Sequence, residues 1–174
     1  ELACRYLGTI ESTVSKLNLT VTELEKFLIS CQSRVAIATT DVAKLVDEIV
    51  RHHRRRIRAA KINVLISSDG SIPFHTDIIT FRTILSHLIA NALLYQDKKK
   101  AHKTVLVTIT MKENHCKVEV KDNGKGIHAD LLPHIFDLFF NRKPAPGTYG
   151  VGLYICRQQT LSLGGSLSVT STYG

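Results

Sequence analysis

No CxxC pair occurs in the sequence: Cys4, Cys31, Cys116 and Cys156 stand far apart. Neither a zinc site nor a dense disulfide framework is therefore indicated, and a reducing compartment is the plainer expectation. No apolar run approaches the roughly 18 residues needed to cross a bilayer, and no secretory signal opens the chain. Internal repeats and low-complexity stretches are missing too. Acidic residues are in short supply, 15 against 23 Lys+Arg, which gives a net charge of +8. Much of the excess is local, in Arg51, Arg54, Arg55, Arg56, Arg58 and Lys61 and again in Lys98, Lys99, Lys100 and Lys103. The first group falls at a helix end and the second in a loop, where cations sit comfortably at the surface. No nucleic-acid-binding motif accompanies the charge, so no nucleic acid is expected as partner.

What remains is one domain's worth of globular sequence, 174 residues that are 44% hydrophobic. The chain opens on Glu1 and stops at Gly174 within a strand-like stretch, so the expectation is a piece of something longer. Any membrane attachment would then come from parts not in this sequence.

Residues 2–31 carry one long helical pattern. Leu7, Ile10, Val14, Leu17, Val21, Leu24, Leu28 and Cys31 follow alternating steps of three and four. That is the a/d seam of coiled coils and helix bundles, and a lone helix of this kind implies a partner. The periodicity lapses around 33–40. Asp41 then caps a helix with apolar positions Val42, Leu45, Val46, Ile49 and Val50. A strand follows at Ile62, Val64 and Ile66, and residues 77–96 return to the helical period. Strands are expected at 104–111 and 115–122, a short helix near 128–138, a helix over about 151–163 and a strand at 166–172. Consecutive strands argue for antiparallel pairing, so the fold class is α+β: one sheet with helices on one face.

Eight of the ten glycines lie at or beyond position 124. They form two groups, Asp122-Asn123-Gly124-Lys125-Gly126-Ile127 and Gly147-Thr148-Tyr149-Gly150-Val151-Gly152-Leu153. Neither is a Walker loop, and the order GxxGxG is not the dinucleotide fingerprint. Asp122 ends the apolar face of its strand, behind Cys116, Val118 and Val120. It either caps the next turn or receives a ligand's N–H group. The second glycine group opens a helix, where N–H groups without partners suit a phosphate, although glycines before a helix are often only a loop. Asn91 lies at the edge of an apolar helical stripe. It is either a satisfied boundary residue or a carbonyl donor to Mg²⁺.

Taken in order, these elements resemble the ATP-binding catalytic domain of sensor histidine kinases, within the superfamily of gyrase, heat-shock chaperone and mismatch-repair ATPases. Leu88-Ile89-Ala90-Asn91-Ala92 with Tyr95 is similar to the asparagine box, and Asp122–Ile127 to the first glycine box. Ile135–Phe140 is similar to the phenylalanine box and Gly150–Ile155 to the second glycine box. The resemblance covers residues 36–174, and the helix at 1–33 resembles the second helix of the dimerisation hairpin. The implied fold is a two-layer α/β sandwich of the histidine kinase ATPase type, preceded by that bundle helix. The implied cofactors are ATP and Mg²⁺. Asp122 would accept the adenine amine, bordered by Gly124, Gly126 and Ile127, with Tyr95 beside the base. Asn91 would hold Mg²⁺, and His87 and Asn91 are the candidate catalytic residues. Arg142 and Lys143, in a lid over 141–149, would reach the phosphates, as would the N–H groups of Gly150, Val151, Gly152 and Leu153. His87 stands where the family commonly has a second asparagine, and Leu94 where it has a basic residue.

The resemblance implies a protein-histidine kinase of two-component signal transduction. Phosphate would pass to a histidine outside this sequence and on to a response regulator receiver domain. A homodimer through the N-terminal helix and a cytoplasmic location are implied as well. His52 and His53 do not match the phosphoacceptor box, so no transfer within the chain is expected. The alternatives are a degenerate nucleotide-binding scaffold and a non-kinase ATPase of the same superfamily.

Overall fold

In the computed structural model, the described residues are 37–69, 73–113, 115–140 and 150–173, together with positions 6, 7, 10, 11, 13, 14, 17, 18, 21, 22 and 25. Those isolated positions are helical. The seam residues among them face solvent: Leu7, Ile10, Val14, Leu17 and Val21 are all exposed. Leu24, Leu28 and Cys31 lie outside the described residues.

The folded part begins with β1 (Ile37–Asp41), α1 (Val42–His52), α2 (Arg54–Ala60), β2 (Ile62–Ser68), β3 (Pro73–Asp77) and α3 (Ile78–Leu94). It continues with β4 (Lys103–Lys112), β5 (His115–Asp122), a 3₁₀ turn at Ala129–His134 and α4 (Gly152–Ser162). The expected cap at Asp41 is present, its carboxylate accepting from the Lys44 N–H at 3.2 Å. Val42, Leu45, Val46 and Ile49 are buried behind it, so the helical period and the cap agree. Asp77 does the same for α3, accepting from Ile79 N at 3.2 Å and from Thr80 Oγ1 at 2.6 Å.

β4 is the central strand of a three-stranded sheet in the order β2-β4-β5. β2 runs parallel to it and β5 antiparallel. A parallel neighbour requires a crossover, and α3 provides it. Val105, Val107 and Ile109 of β4 point to the covered face, where they meet Leu45, Val46 and Ile49 of α1 and Leu85, Ile89, Ala92 and Leu93 of α3. Two layers result, helices on one face of a sheet. α3 is apolar nearly all round because it is covered on both sides, by the sheet and by α4. Across the α3–α4 contact the buried Cys156 thiol donates to the Ile84 carbonyl at 3.8 Å. Burial pushes that thiol up to about 12 and the half-buried Cys116 thiol up to about 11.

Three expectations require correction. A second, two-stranded sheet exists, β1 antiparallel to β3, so the described residues hold two sheets rather than one. The helix expected near 128–138 is only the 3₁₀ turn at Ala129–His134, which contains Pro133; that ring has no N–H to continue an α-helix. Residues 166–172 join no ladder. The end of this stretch, residues 171–173, lies beside residues 126–128 instead: Ile127 N donates to Ser171 Oγ at 2.8 Å and the Tyr173 ring lies 5.2 Å from that of His128. Alternation in sequence cannot produce a strand without a paired neighbour.

The basic stretch is at the surface, as expected. Arg51 pairs with Asp47, and Arg82 of α3 reaches Glu48 at 2.6 Å, while Arg54, Arg55, Arg56 and Arg58 are exposed. His52 is exposed and His53 partly so. Among the described residues, no helix is long and apolar enough to cross a membrane.

Candidate functional site

The site is built on one face of α3. His87, Asn91 and Tyr95 follow at intervals of four, which stacks them along one side of the helix and its C-cap. Eight residues at 1.5 Å each separate the first from the last, about 12 Å along the axis. His87 and Asn91 are partly buried and Tyr95 is 40% exposed, so this face is accessible rather than sealed into the core.

Both glycine groups meet α3, one beside His87 and the other at its C-terminal end. At one end, a Cβ placed on Gly152 would lie 3.3 Å from His87 Nδ1, so the start of α4 abuts the imidazole. At the other, the Lys125 N–H donates to the Tyr95 carbonyl at 3.2 Å. A Cβ on Gly124 would come within 2.5 Å of that same carbonyl oxygen, so only glycine lets the turn approach α3 this closely. Segments far apart in sequence are thereby brought to opposite ends of one 12 Å edge.

Asp122 ends β5 opposite Val105. Val118 and Val120 on its face are half-buried, while Lys117, Glu119 and Lys121 are exposed, as the alternation predicts. The aspartate itself is exposed. Its Oδ1 accepts from the Gly124 N–H at 2.8 Å, which closes an Asx-type turn. The capping role is therefore real, and a carboxylate with two oxygens retains acceptor capacity beyond it. Gly126 takes φ +68° and packs against the Thr172 carbonyl, which seats Ile127 beside Ser171.

α4 starts without a side-chain cap, and its first turn contains no acid. The N-cap residue, Val151, has no side-chain acceptor to offer the N–H groups near Gly152 and Leu153, which stand at the positive end of the helix dipole. Gly150, at φ +71°, lies against the backbone of Phe139 and Phe140. Arg157 of α4 stacks over the Phe136 ring at 5.5 Å and fastens the phenylalanine-rich segment to the same helix. Arg142 and Lys143 lie outside the described residues.

Two partners went unrecognised in the sequence. Asn123 pins the 102–104 segment, its amide accepting from Thr104 N at 2.8 Å and donating to the His102 carbonyl at 2.9 Å. Lys100, read as one of a solvated lysine run, donates through Nζ to the carbonyls of Asn123 at 2.9 Å and Gly124 at 3.3 Å. Only the position of Asn123, between an aspartate and a glycine in a turn, signals such a tie in advance. Two surface concavities share no lining residue with this group. One, of about 370 Å³, is lined by Pro73, Phe74, His75, Met111 and Glu113; the other, of about 540 Å³, by Glu48, Arg51, His52, Arg54 and Arg55. Neither brings together the donors and acceptors found on the α3 edge, so the candidate site rests on its chemistry and not on a concavity.

Residues 76–174 match the family described as histidine kinase-, DNA gyrase B- and HSP90-like ATPase. The chain belongs to that family. Sensor protein IrlS of Burkholderia pseudomallei is 26% identical over 179 residues, covering 97% of this chain and 37% of the relative. Sensor histidine kinase YvrG of Bacillus subtilis is 30% identical over 109 residues, covering 61% of this chain and 18% of the relative. The fold agrees with a nucleotide-free catalytic domain of the histidine kinase ThkA, with a TM-score of 0.66 at 23% identity over 74% of this chain and 82% of that one. It agrees likewise with full-length ShkA in complex with AMPPNP, at 0.70 and 22% identity over 82% of this chain and 29% of that one. This is an ATP-binding catalytic domain of the sensor histidine kinase type, with the α+β sandwich of that class. The chain spans only 37% and 18% of the length of these two curated relatives.

Proposed function

We propose that the α3 edge is the nucleotide site and that its residues divide the ligand between them. Asp122 accepts the exocyclic amine of adenine, with Gly124, Gly126 and Ile127 bordering the base and Tyr95 beside it. The N–H groups of Gly150, Val151, Gly152 and Leu153 hold phosphate oxygens, joined by Arg142 and Lys143. The observation that carries this reading is that both glycine segments meet the same helix, Gly152 beside the His87 ring and Lys125 at the Tyr95 carbonyl.

A divalent cation fits the donor set. Among the described residues no group of three or more His, Cys, Asp or Glu can hold a metal, so these residues offer no all-protein cage. Mg²⁺ is commonly bound by one or two protein oxygens with the remaining positions filled by phosphate and water. The Asn91 amide oxygen supplies such a ligand; the His87 imidazole, a softer donor, is better suited to orienting a phosphate or a proton. When bound, Mg²⁺ neutralises the phosphate charge and makes the γ-phosphoryl group a better electrophile.

The activity proposed for the parent protein is transfer of the γ-phosphate to a histidine nitrogen, with ADP as leaving group, and then to an aspartate on a response regulator receiver domain. Residues 36–174 form the catalytic domain, and residues 1–33 belong to a dimerisation hairpin that joins two copies through the apolar seam. The exposure of Leu7, Ile10, Val14, Leu17 and Val21 supports the last point. The domain acts on the cytoplasmic side, with membrane attachment, where it exists, contributed by other parts of the parent.

Asp122→Asn tests the site. The shape is nearly unchanged, but one carboxylate oxygen becomes an amide donor facing the adenine amine. ATP affinity should fall by at least about tenfold with the fold intact, as a lost charge-assisted hydrogen bond implies. Undiminished affinity would remove Asp122 from the site. A second reading, a nucleotide-binding scaffold with weakened transfer, is favoured by Leu94, which cannot contact phosphate. Radiolabelled γ-phosphate appearing on a longer chain that contains the acceptor histidine would exclude it.

A further inference from the structure

We infer that Lys100 is a positioning residue for nucleotide recognition, acting through two peptide groups of the Asp122–Lys125 turn. The inference rests on the assignment of Asp122 to the purine.

Lys100 Nζ donates to two consecutive carbonyl oxygens, those of Asn123 at 2.9 Å and Gly124 at 3.3 Å. In a planar trans peptide the C=O and the following N–H point in opposite directions. The peptide that carries the Asn123 carbonyl also carries the Gly124 N–H, and that N–H donates to Asp122 Oδ1 at 2.8 Å. The next peptide joins the Gly124 carbonyl to the Lys125 N–H, which donates to the Tyr95 carbonyl at 3.2 Å. Each peptide is therefore held at both edges. Lys100 grips one side, and the Asp122 carboxylate or the end of α3 grips the other.

Two consequences follow from this geometry. Rotation of either peptide would break two hydrogen bonds at once, so one ammonium group sets both the aim of the Asp122 carboxylate and the distance of the turn from α3. A carbonyl that accepts from a cation also polarises its peptide, which makes the attached N–H a stronger donor. The Gly124 N–H thus holds Asp122 more firmly than a solvated turn would. The path that brings Lys100 here is itself ordered: Lys99 N donates to Asp97 Oδ1 at 2.9 Å and Lys100 N to the Asp97 carbonyl at 3.3 Å. Lys98 and Lys99 of the same run are exposed, and their side chains make no comparable bond among the described residues. Lys100 differs from its neighbours by place, not by type.

The test is calorimetric titration of ADP and of ATP, with Mg²⁺, into the whole chain as wild type, Lys100→Met, Lys100→Arg, Asp122→Asn and the double variant Lys100→Met/Asp122→Asn. Lys100 is exposed, so methionine is accommodated without repacking; thermal unfolding confirms that each variant is folded. Lys100→Met should weaken ADP and ATP by the same factor, about tenfold. Lys100→Arg should stay within about twofold of wild type, since a guanidinium still offers donors to both carbonyls. In the double variant the loss should be smaller than the product of the two single losses, because part of what the ammonium does is aim the carboxylate. Additive losses in the double variant would overturn the inference. A loss confined to ATP would do the same, since it would place Lys100 at the phosphates. Weak binding by Asp122→Asn with wild-type binding by Lys100→Met would overturn this inference alone, whereas wild-type binding by Asp122→Asn would overturn it together with the site reading beneath it.

Discussion

Replacing Gly124 with alanine probes the junction that makes the site. The added Cβ would stand 2.5 Å from the Tyr95 carbonyl oxygen and 2.7 Å from Asp122 Oδ1, where real Cβ atoms essentially never come inside 3.0 Å. The turn must then retreat from α3 by at least 0.5 Å, the difference between 3.0 and 2.5 Å. Two hydrogen bonds lie in the way, Lys125 N to Tyr95 O at 3.2 Å and Gly124 N to Asp122 Oδ1 at 2.8 Å. A neutral bond is worth about 1 kcal/mol and one to a charged group about 1.5–3, so partial loss of both costs about 2–4 kcal/mol. For a chain of this length each kcal/mol moves the unfolding midpoint by about 2–4 °C, which predicts a fall of about 5–15 °C. Gly164→Ala is the control. That residue has φ +74° but nothing within 4 Å of where its Cβ would stand, so backbone strain of about 1–2 kcal/mol is all it should cost. Far-UV circular dichroism during heating reads both midpoints, and ADP titration reads the site. Gly124→Ala should be the less stable and should bind nucleotide poorly. A Gly124→Ala midpoint at or above that of Gly164→Ala would refute the close approach.

Burial, followed by the neighbouring charges of His52 and Arg56, lowers the pKa of His53 below its usual 6.5. The folded state then favours the neutral ring, the unfolded state binds more protons in the window just below pH 6.5, and stability falls as pH drops through it. Urea titrations of wild type and His53→Gln between pH 8 and pH 5 should show the wild type losing ground to the variant at the acid end; a pH-independent difference would contradict this. Sedimentation equilibrium should find the wild type dimeric and Leu17→Asp, in the exposed seam, monomeric at the same concentration. Equal masses for the two would remove the seam from the assembly.

The parts of the fold that were legible in sequence are those whose local and tertiary demands coincide. α1 shows its cap at Asp41 and its apolar period at Val42, Leu45, Val46 and Ile49, and each of these is buried where the pattern puts it. β5 shows its alternation up to Asp122. α3 was found at its expected place, but its buried residues, Ile84, Leu85, Ile89, Ala92 and Leu93, include adjacent pairs that no single stripe contains, while Tyr95 at its end is exposed. A helix packed on two sides has no single apolar face from which to read its orientation. β1 and β3 were hidden for another reason. Each is five residues long, IATTD and PFHTD, and mostly polar, so pairing with each other rather than burial defines them. The proposed site was read from glycines and Asp122, whose chemistry is local. Lys100 was not, because its role depends on a carbonyl pair that lies 23 and 24 residues further along.

The most direct measurement is a ¹H–¹⁵N correlation spectrum of the chain titrated with Mg²⁺ and a non-hydrolysable ATP analogue. The largest amide shifts should fall on Asn91, Tyr95, Asp122, Gly124, Gly126 and Gly152, along one edge of α3. Shifts concentrated instead around Phe74 and Met111, or around Arg54 and Arg55, with that edge silent, would contradict it.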